Sequence, residues 1–203
     1  MHLVDIGTVT YVNIVVGSIL NSLDQNVWKF FVENPFLISL ARAVTEIGAL
    51  HVLLPLSGVV GVYLWSRSRS LLTAATPWIA LQVNSYVVAN LKEWTAVTRP
   101  PREFWIVGAS AGSFPSGHVA NTTAFVVVAL ISLVSIHPTK LRLLSISGAT
   151  LCVAMAWSRL ALNVHWFTDV VAGWFVGAAT SFVVASLIQR IKSQRENQLQ
   201  RLG

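Results

Sequence analysis

Two histidines, three cations and one carboxylate stand out in this chain because they sit where apolar stretches begin and end. Lys92 is followed by Arg99 and Pro100. Pro115, Ser116, Gly117 and His118 are consecutive. Ser158 and Arg159 precede His165, and Asp169 follows that histidine by four positions. Residues four apart share a helix face, so Asp169 can bond one ring nitrogen of His165 and leave the other as a neutral nucleophile. Arginine holds two oxygens of an oxyanion at once, and lysine acts as a point charge. Lys92, Arg99 and Arg159 therefore form a candidate phosphate clamp. Ser116 and the amides around Gly117 lie where a helix N-terminus binds an anion. Together such groups can stabilise the charge of a phosphoryl transition state.

The elements that position these residues are membrane helices. Of 203 residues, 54% are hydrophobic and 11% charged, where a soluble domain carries about a quarter charged. No Asp, Glu, Lys or Arg occurs in residues 104–139, 143–158 or 170–189. A bilayer core of ~30 Å is crossed by roughly 20 helical residues. The expectation is a single all-α, polytopic membrane domain over residues 1–203 with six transmembrane helices. They fall at about residues 4–23, 49–65, 71–91, 117–136, 143–157 and 168–188. An amphipathic helix lies at the interface between the first and second, within residues 24–48, where Leu37, Leu40, Ala41 and Val44 recur at helical spacing around Arg42 and Glu46. A plain connecting helix pair fits the same stretch. Pro55 predicts a kink in the second span. Trp65, Trp94, Trp105, Trp157 and Trp166 fall near span ends, as an aromatic belt requires. Gly173 and Gly177 permit close helix packing.

Arg67 and Arg69, Lys140 and Arg142, and the basic tail of residues 189–203 share one face in this scheme. The positive-inside bias makes that face cytoplasmic and puts the chemistry-bearing clusters at the outer face. The net charge of +6 does not indicate nucleic acid, since the basic residues are separated by apolar spans and form no continuous patch. Cys152, the single cysteine, cannot form an internal disulfide or a metal cluster. The first residues carry no basic leader ahead of an apolar run, which argues against a cleaved signal peptide.

Ionisable groups at membrane depth are costly, so a functional site is the default expectation for the three clusters. Lys-x6-Arg-Pro, Pro-Ser-Gly-His and Ser-Arg-x5-His-x3-Asp, in that order between Lys92 and Asp169, together resemble the three-part signature of the type 2 phosphatidic acid phosphatase superfamily. Residues 1–90 match only in hydropathy. The resemblance implies a membrane-bound lipid phosphate phosphatase that hydrolyses a phosphomonoester or pyrophosphate. It implies His165 as nucleophile, passing through a phosphohistidine, with His118 as general acid toward the leaving oxygen and Asp169 supporting the nucleophile. The implied substrates are phosphatidic acid, phosphatidylglycerol phosphate or an isoprenyl (di)phosphate, reached laterally from the bilayer. Small size and resemblance also imply a bacterial cytoplasmic membrane. Nearby cations oppose protonation of His118, and a bound phosphate dianion reverses that field.

Each fragment also has a plainer role open to it. A His–Asp pair can merely satisfy two polar side chains, a histidine can cap a helix, and basic residues can snorkel to headgroups. For Arg102, just outside the signature, snorkelling or headgroup contact is expected. The same signature serves a lipid phosphotransferase, in which only the acceptor differs, or a non-catalytic lipid phosphate binding or transport protein. A vanadate-dependent haloperoxidase shares the constellation, but those are soluble. No cofactor is implied. No metal is implied either, because Asp169, Glu93 and Glu103 fall short of a two-metal ligand set. His51 is expected to be packed or interfacial, and His137 to lie on the cytoplasmic side, away from the site.

Overall fold

The computed structural model describes residues 34–109, 112–134 and 136–202, and everything below concerns these. The first expected span, residues 4–23, lies outside them. The described chain is all-α: α1 (Pro35–Ile47), α2 (Leu50–Ser68), α3 (Leu71–Thr95), α4 (Gly117–Leu133), α5 (Leu141–Ala161) and α6 (Phe167–Leu202), with short 3-10 turns at Arg102–Phe104 and Pro138–Lys140. Local chemistry sets the ends. The Asn34 side chain accepts from the Phe36 and Leu37 amides at 3.1 and 3.3 Å ahead of Pro35, a residue suited to the first helical turn. Ser70 caps α3 through the Thr73 amide at 3.3 Å. Arg69 and Ala96, at φ 54° and 46°, adopt the left-handed conformation that stops α2 and α3.

α4 is the hub, packing against α2, α3, α5 and α6. Its partner α6 approaches closely because of the two glycines. A Cβ at Gly173 would sit 3.0 Å from the Ser116 carbonyl oxygen, and one at Gly177 would collide with the Ala120 carbonyl. The interior is rich in paired polar groups. Asn84 Nδ2 donates to Asn121 Oδ1 at 2.7 Å, and Ser181 Oγ donates to the Ala124 carbonyl at 2.8 Å. The exterior is apolar instead: Val59, Val62, Tyr86, Phe175 and Phe182 are all more than half exposed. A polar interior inside an apolar coat is the arrangement a hydrocarbon solvent selects.

The expectation of six transmembrane helices is corrected. Among the described residues three helices are long and apolar enough to cross a membrane: Leu50–Ser68, Pro138–Ala161 and Phe167–Arg201. Gly117–Leu133 is apolar but shorter than a full span, with 17 residues. α3 is long enough, yet Gln82, Asn84, Ser85, Asn90, Lys92 and Glu93 dilute its hydropathy. Several of those polar groups face protein, so hydropathy and burial part company here. The helix expected at the interface, α1, packs one face on the bundle. α1 turns Leu37, Ile38 and Ala41 onto the cluster of Ala161, Leu162 and Val164, and Val44 onto Met155 and Ala156. Its apolar stripe is covered by protein only in part: Ala41 is buried, while Phe36, Leu40 and Ile47 stay 72%, 42% and 42% exposed.

Candidate active site

Four helix ends meet at one end of the bundle: the C-termini of α3 and α5 and the N-termini of α4 and α6. Asp169, in the first turn of α6, is fully buried. Its Oδ2 accepts from His165 Nδ1 at 3.1 Å, from the Trp166 amide at 2.9 Å and from Ser113 Oγ. A carboxylate bonded to Nδ1 fixes the proton there and leaves the Nε2 lone pair outward. That lone pair meets Arg99 Nη1 at 3.1 Å. Burial pushes the His165 imidazole down to about 3 from 6.5; Arg159 and Arg99 add to this, against the hydrogen bond and charge of Asp169. The ring is therefore neutral at physiological pH.

Lys92, in the last turn of α3, donates to the Gly112 carbonyl at 2.6 Å and the Ser113 carbonyl at 3.2 Å. Residue 112 must be glycine for this approach, because a Cβ there would lie 2.8 Å from the Lys92 carbonyl oxygen. Arg99 also bonds Gly112, at 3.3 Å, and reaches the Val164 carbonyl at 2.5 Å. Burial lowers its pKa from the ordinary guanidinium value, with Asp169 opposing. The two cations thus brace the loop before α4 against the loop before α6.

Ser116, fully buried, donates its backbone N–H to the Asp169 carbonyl at 2.9 Å, tying the Pro-Ser-Gly-His turn to α6. Its hydroxyl has no partner among the described residues. Gly117 opens α4, and a Cβ there would still leave Lys92 Cε 3.9 Å away. His118 follows, half-buried, in the combined field of Arg159, Arg99 and Lys92. Arg159, in the last turn of α5, is 4% exposed. Its Nη1 donates to Thr45 Oγ1 at 2.6 Å, and its Nε has no partner among the described residues. Ser158 bonds back to the Met155 carbonyl at 2.8 Å and serves its own helix.

All eight residues singled out in the sequence, Lys92, Arg99, Ser116, Gly117, His118, Arg159, His165 and Asp169, converge at this end of the bundle. His51 is exposed and lies 3.6 Å from Glu46. His137 stacks on Tyr63 at the opposite end. Sequence reasoning missed Thr45 and Ser113. Thr45 acts across 114 positions, and no spacing rule marks it. Ser113 sits just before the Pro-Ser-Gly-His turn, and only its contact with Asp169 distinguishes it. Among the described residues no three His, Cys, Asp or Glu side chains gather into a metal-ligating group.

Comparison with known proteins places this geometry in context. A family model described as the PAP2 superfamily matches residues 71–193. The chain is 29% identical over 192 residues to phosphatidylglycerophosphatase B of Bacillus subtilis (strain 168), spanning 87% of this chain and 89% of that protein. It is 26% identical over 142 residues to the undecaprenyl-diphosphatase of Sulfolobus acidocaldarius, spanning 68% of this chain and 65% of the relative. Among solved structures it is similar to a transmembrane PAP2-type phosphatidylglycerolphosphate phosphatase from Bacillus subtilis. The TM-score is 0.77 at 25% identity, over 92% of this chain and 96% of that one. Aquifex aeolicus LpxE shares the fold, with a TM-score of 0.64 at 19% identity over 81% and 93% of the two chains.

Proposed function

The chain belongs to the PAP2 superfamily as an integral-membrane lipid phosphatase, and on that premise we propose that it works through a phosphohistidine on His165 without a metal ion. The observation that carries this is the His165 ring held between Asp169 on Nδ1 and Arg99 on Nε2, each at 3.1 Å. Nε2 attacks phosphorus, the P–N bond forms and the bond to the lipid oxygen breaks. His118 gives its proton to that leaving oxygen. It makes no hydrogen bond within the described residues that would compete for its ring nitrogens. A water then attacks the phosphohistidine, His118 takes the water's proton, and inorganic phosphate leaves with both histidines restored. Lys92, Arg99, Arg159, the Ser116 hydroxyl and the Gly117 amide meet the phosphoryl oxygens, supplying the charge that a metal would supply elsewhere. The unpartnered Arg159 Nε and Ser116 Oγ support that assignment, because buried polar groups ordinarily have partners.

The substrate is a phosphomonoester or pyrophosphate of a bilayer lipid. The printed activities of the relatives, on phosphatidylglycerophosphate and undecaprenyl diphosphate, favour those headgroups. The basic ends Arg67, Lys140, Arg142, Arg190, Lys192 and Arg195 lie at the end of the bundle away from the site. That distribution supports a cytoplasmic C-terminus and an outer-face site.

The test is single turnover on a lipid labelled in the terminal phosphate, with a chelator present. Acid-labile label should appear on wild type and not on His165→Ala, while His118→Ala, which lacks the acid of the first step and the base of the second, should both gain and lose label slowly. Label retained by His165→Ala removes the nucleophile. A requirement for added magnesium removes the metal-free clamp.

A further inference from the structure

Beside the clamp lies a cavity of about 580 Å³ whose walls include Lys92, Glu93, Arg99, Pro100, Arg102 and Trp105. It adjoins the phosphate clamp but is not lined by either site histidine. The Trp105 indole is fixed in its wall. Nε1 donates to the Pro100 carbonyl at 2.7 Å, and the ring packs on the cluster of Ala41, Ala161, Leu162 and Val164. Two guanidiniums share this ring: Arg99 Cζ lies 6.0 Å and Arg102 Cζ 5.9 Å from its centroid. Arg99 is engaged with Val164, His165 and Gly112. Arg102, held in the 3-10 turn Arg102–Phe104, is exposed and makes no hydrogen bond or ion pair among the described residues.

We propose that Arg102, seated on Trp105, binds a second phosphate of the substrate, one that is held and not cleaved. The enzyme is then selective for lipids that carry two phosphate groups, joined directly or through a short linker, over lipids with one. The proposal rests on the phosphatase reading above and narrows its substrate class. Arg99 takes the scissile phosphate beside His165, and Arg102 takes its neighbour along the same ring. A planar guanidinium pre-oriented on an aromatic face loses little freedom when it engages two phosphate oxygens. Glu93 is the one carboxylate in this wall, against Lys92, Arg99 and Arg102, so the cavity keeps a net positive charge.

The purified full-length protein is assayed on two lipids with the same acyl chains: phosphatidic acid, and phosphatidylglycerol phosphate. Arg102→Ala should lower the ratio of kcat/KM for the second over the first about tenfold, the size of one lost charge-assisted hydrogen bond. Trp105→Leu should lower the same ratio by removing the seat. Arg142→Ala, at the far end of the bundle, should leave it unchanged. Equal losses on both lipids with Arg102→Ala would make this residue a general contact and overturn the second-phosphate site. An unchanged ratio would make it a surface arginine and overturn it too. Wild type inert on both lipids and on an isoprenyl diphosphate as well would instead refute the phosphatase reading, an outcome distinct from either.

Discussion

Arg99 donates to Nε2 of His165, the nitrogen that must attack phosphorus. A phosphate reaching that nitrogen has to draw the guanidinium onto its own oxygens, so the same contact that quiets the lone pair positions the clamp. Arg99 cannot then be replaced by a simple charge. Arg99→Lys keeps the positive charge but lacks the planar fork that spans His165 and the Gly112 and Val164 carbonyls. It should lose on the order of a hundredfold in kcat, the cost of one removed oxyanion donor. Orthovanadate inhibition should weaken in parallel. Near-normal kcat in Arg99→Lys would reduce the residue to an electrostatic background.

Thr45 holds Arg159 from a helix outside the signature. The hydroxyl accepts from Nη1 at 2.6 Å, and both residues are buried. Thr45→Val keeps the shape and leaves a buried guanidinium N–H unpaired, at about 1.5–3 kcal/mol. If the loss falls on substrate binding, KM rises and inorganic phosphate inhibits more weakly, while kcat moves less. Thr45→Ser, which restores the acceptor, should recover both constants. Equal kinetics for the Val and Ser variants would show that Arg159 needs no support from α1.

What was readable in the sequence is the part governed by short spacing. His165 and Asp169 are four apart, and Ser116 to His118 are contiguous, so their helix-end placement follows from periodicity and turn chemistry. Thr45 and Ser113 were not readable, because each matters through one contact with a residue far along the chain. The count of spans failed for a different reason. Freedom from charge was enough to suggest a span, yet α3 carries Gln82, Asn84, Ser85 and Asn90 along its length and α4 has only 17 residues. The apolar stripe of α1 fitted an interfacial helix and a plain connecting helix pair alike, and its contact with Ala161 and Leu162, far along the chain, has no mark in the sequence. The GxxxG step was legible as packing, but not as the device that seats α6 on the Pro-Ser-Gly-His turn.

His165 should also leave a signature in stability against pH. Its folded-state value of about 3 lies below the ordinary 6.5, chiefly through burial. Between those values the unfolded chain binds a proton that the folded chain refuses. The stabilisation is therefore complete above about pH 6.5 and is lost as pH falls toward 3. Thermal denaturation in detergent from about pH 7 down to pH 4 should show wild type falling faster than His165→Asn, which has no such proton to take up. Parallel curves would mean that the buried ring is not held neutral.

The last link runs from α6 to α4. A Cβ on Gly177 meets the Ala120 carbonyl and comes within 3.0 Å of the Ala124 amide nitrogen, and both are backbone atoms that cannot rotate away. Gly177→Ala must push the two helices apart or shear them. Overpacking of this kind costs about 1–3 kcal/mol. The strain reaches the chemistry because the same helix pair carries the bond from the Ser116 amide to the Asp169 carbonyl at 2.9 Å. Gly177→Ala should therefore lose thermal stability and kcat together, although residue 177 lies two turns from Asp169. Gly58→Ala is the control: nothing lies within 4 Å of a Cβ built there, and a helical alanine in its place should be neutral or slightly stabilising. If Gly177→Ala melts earlier but turns over normally, the close approach serves folding alone and the seating of Asp169 is independent of it.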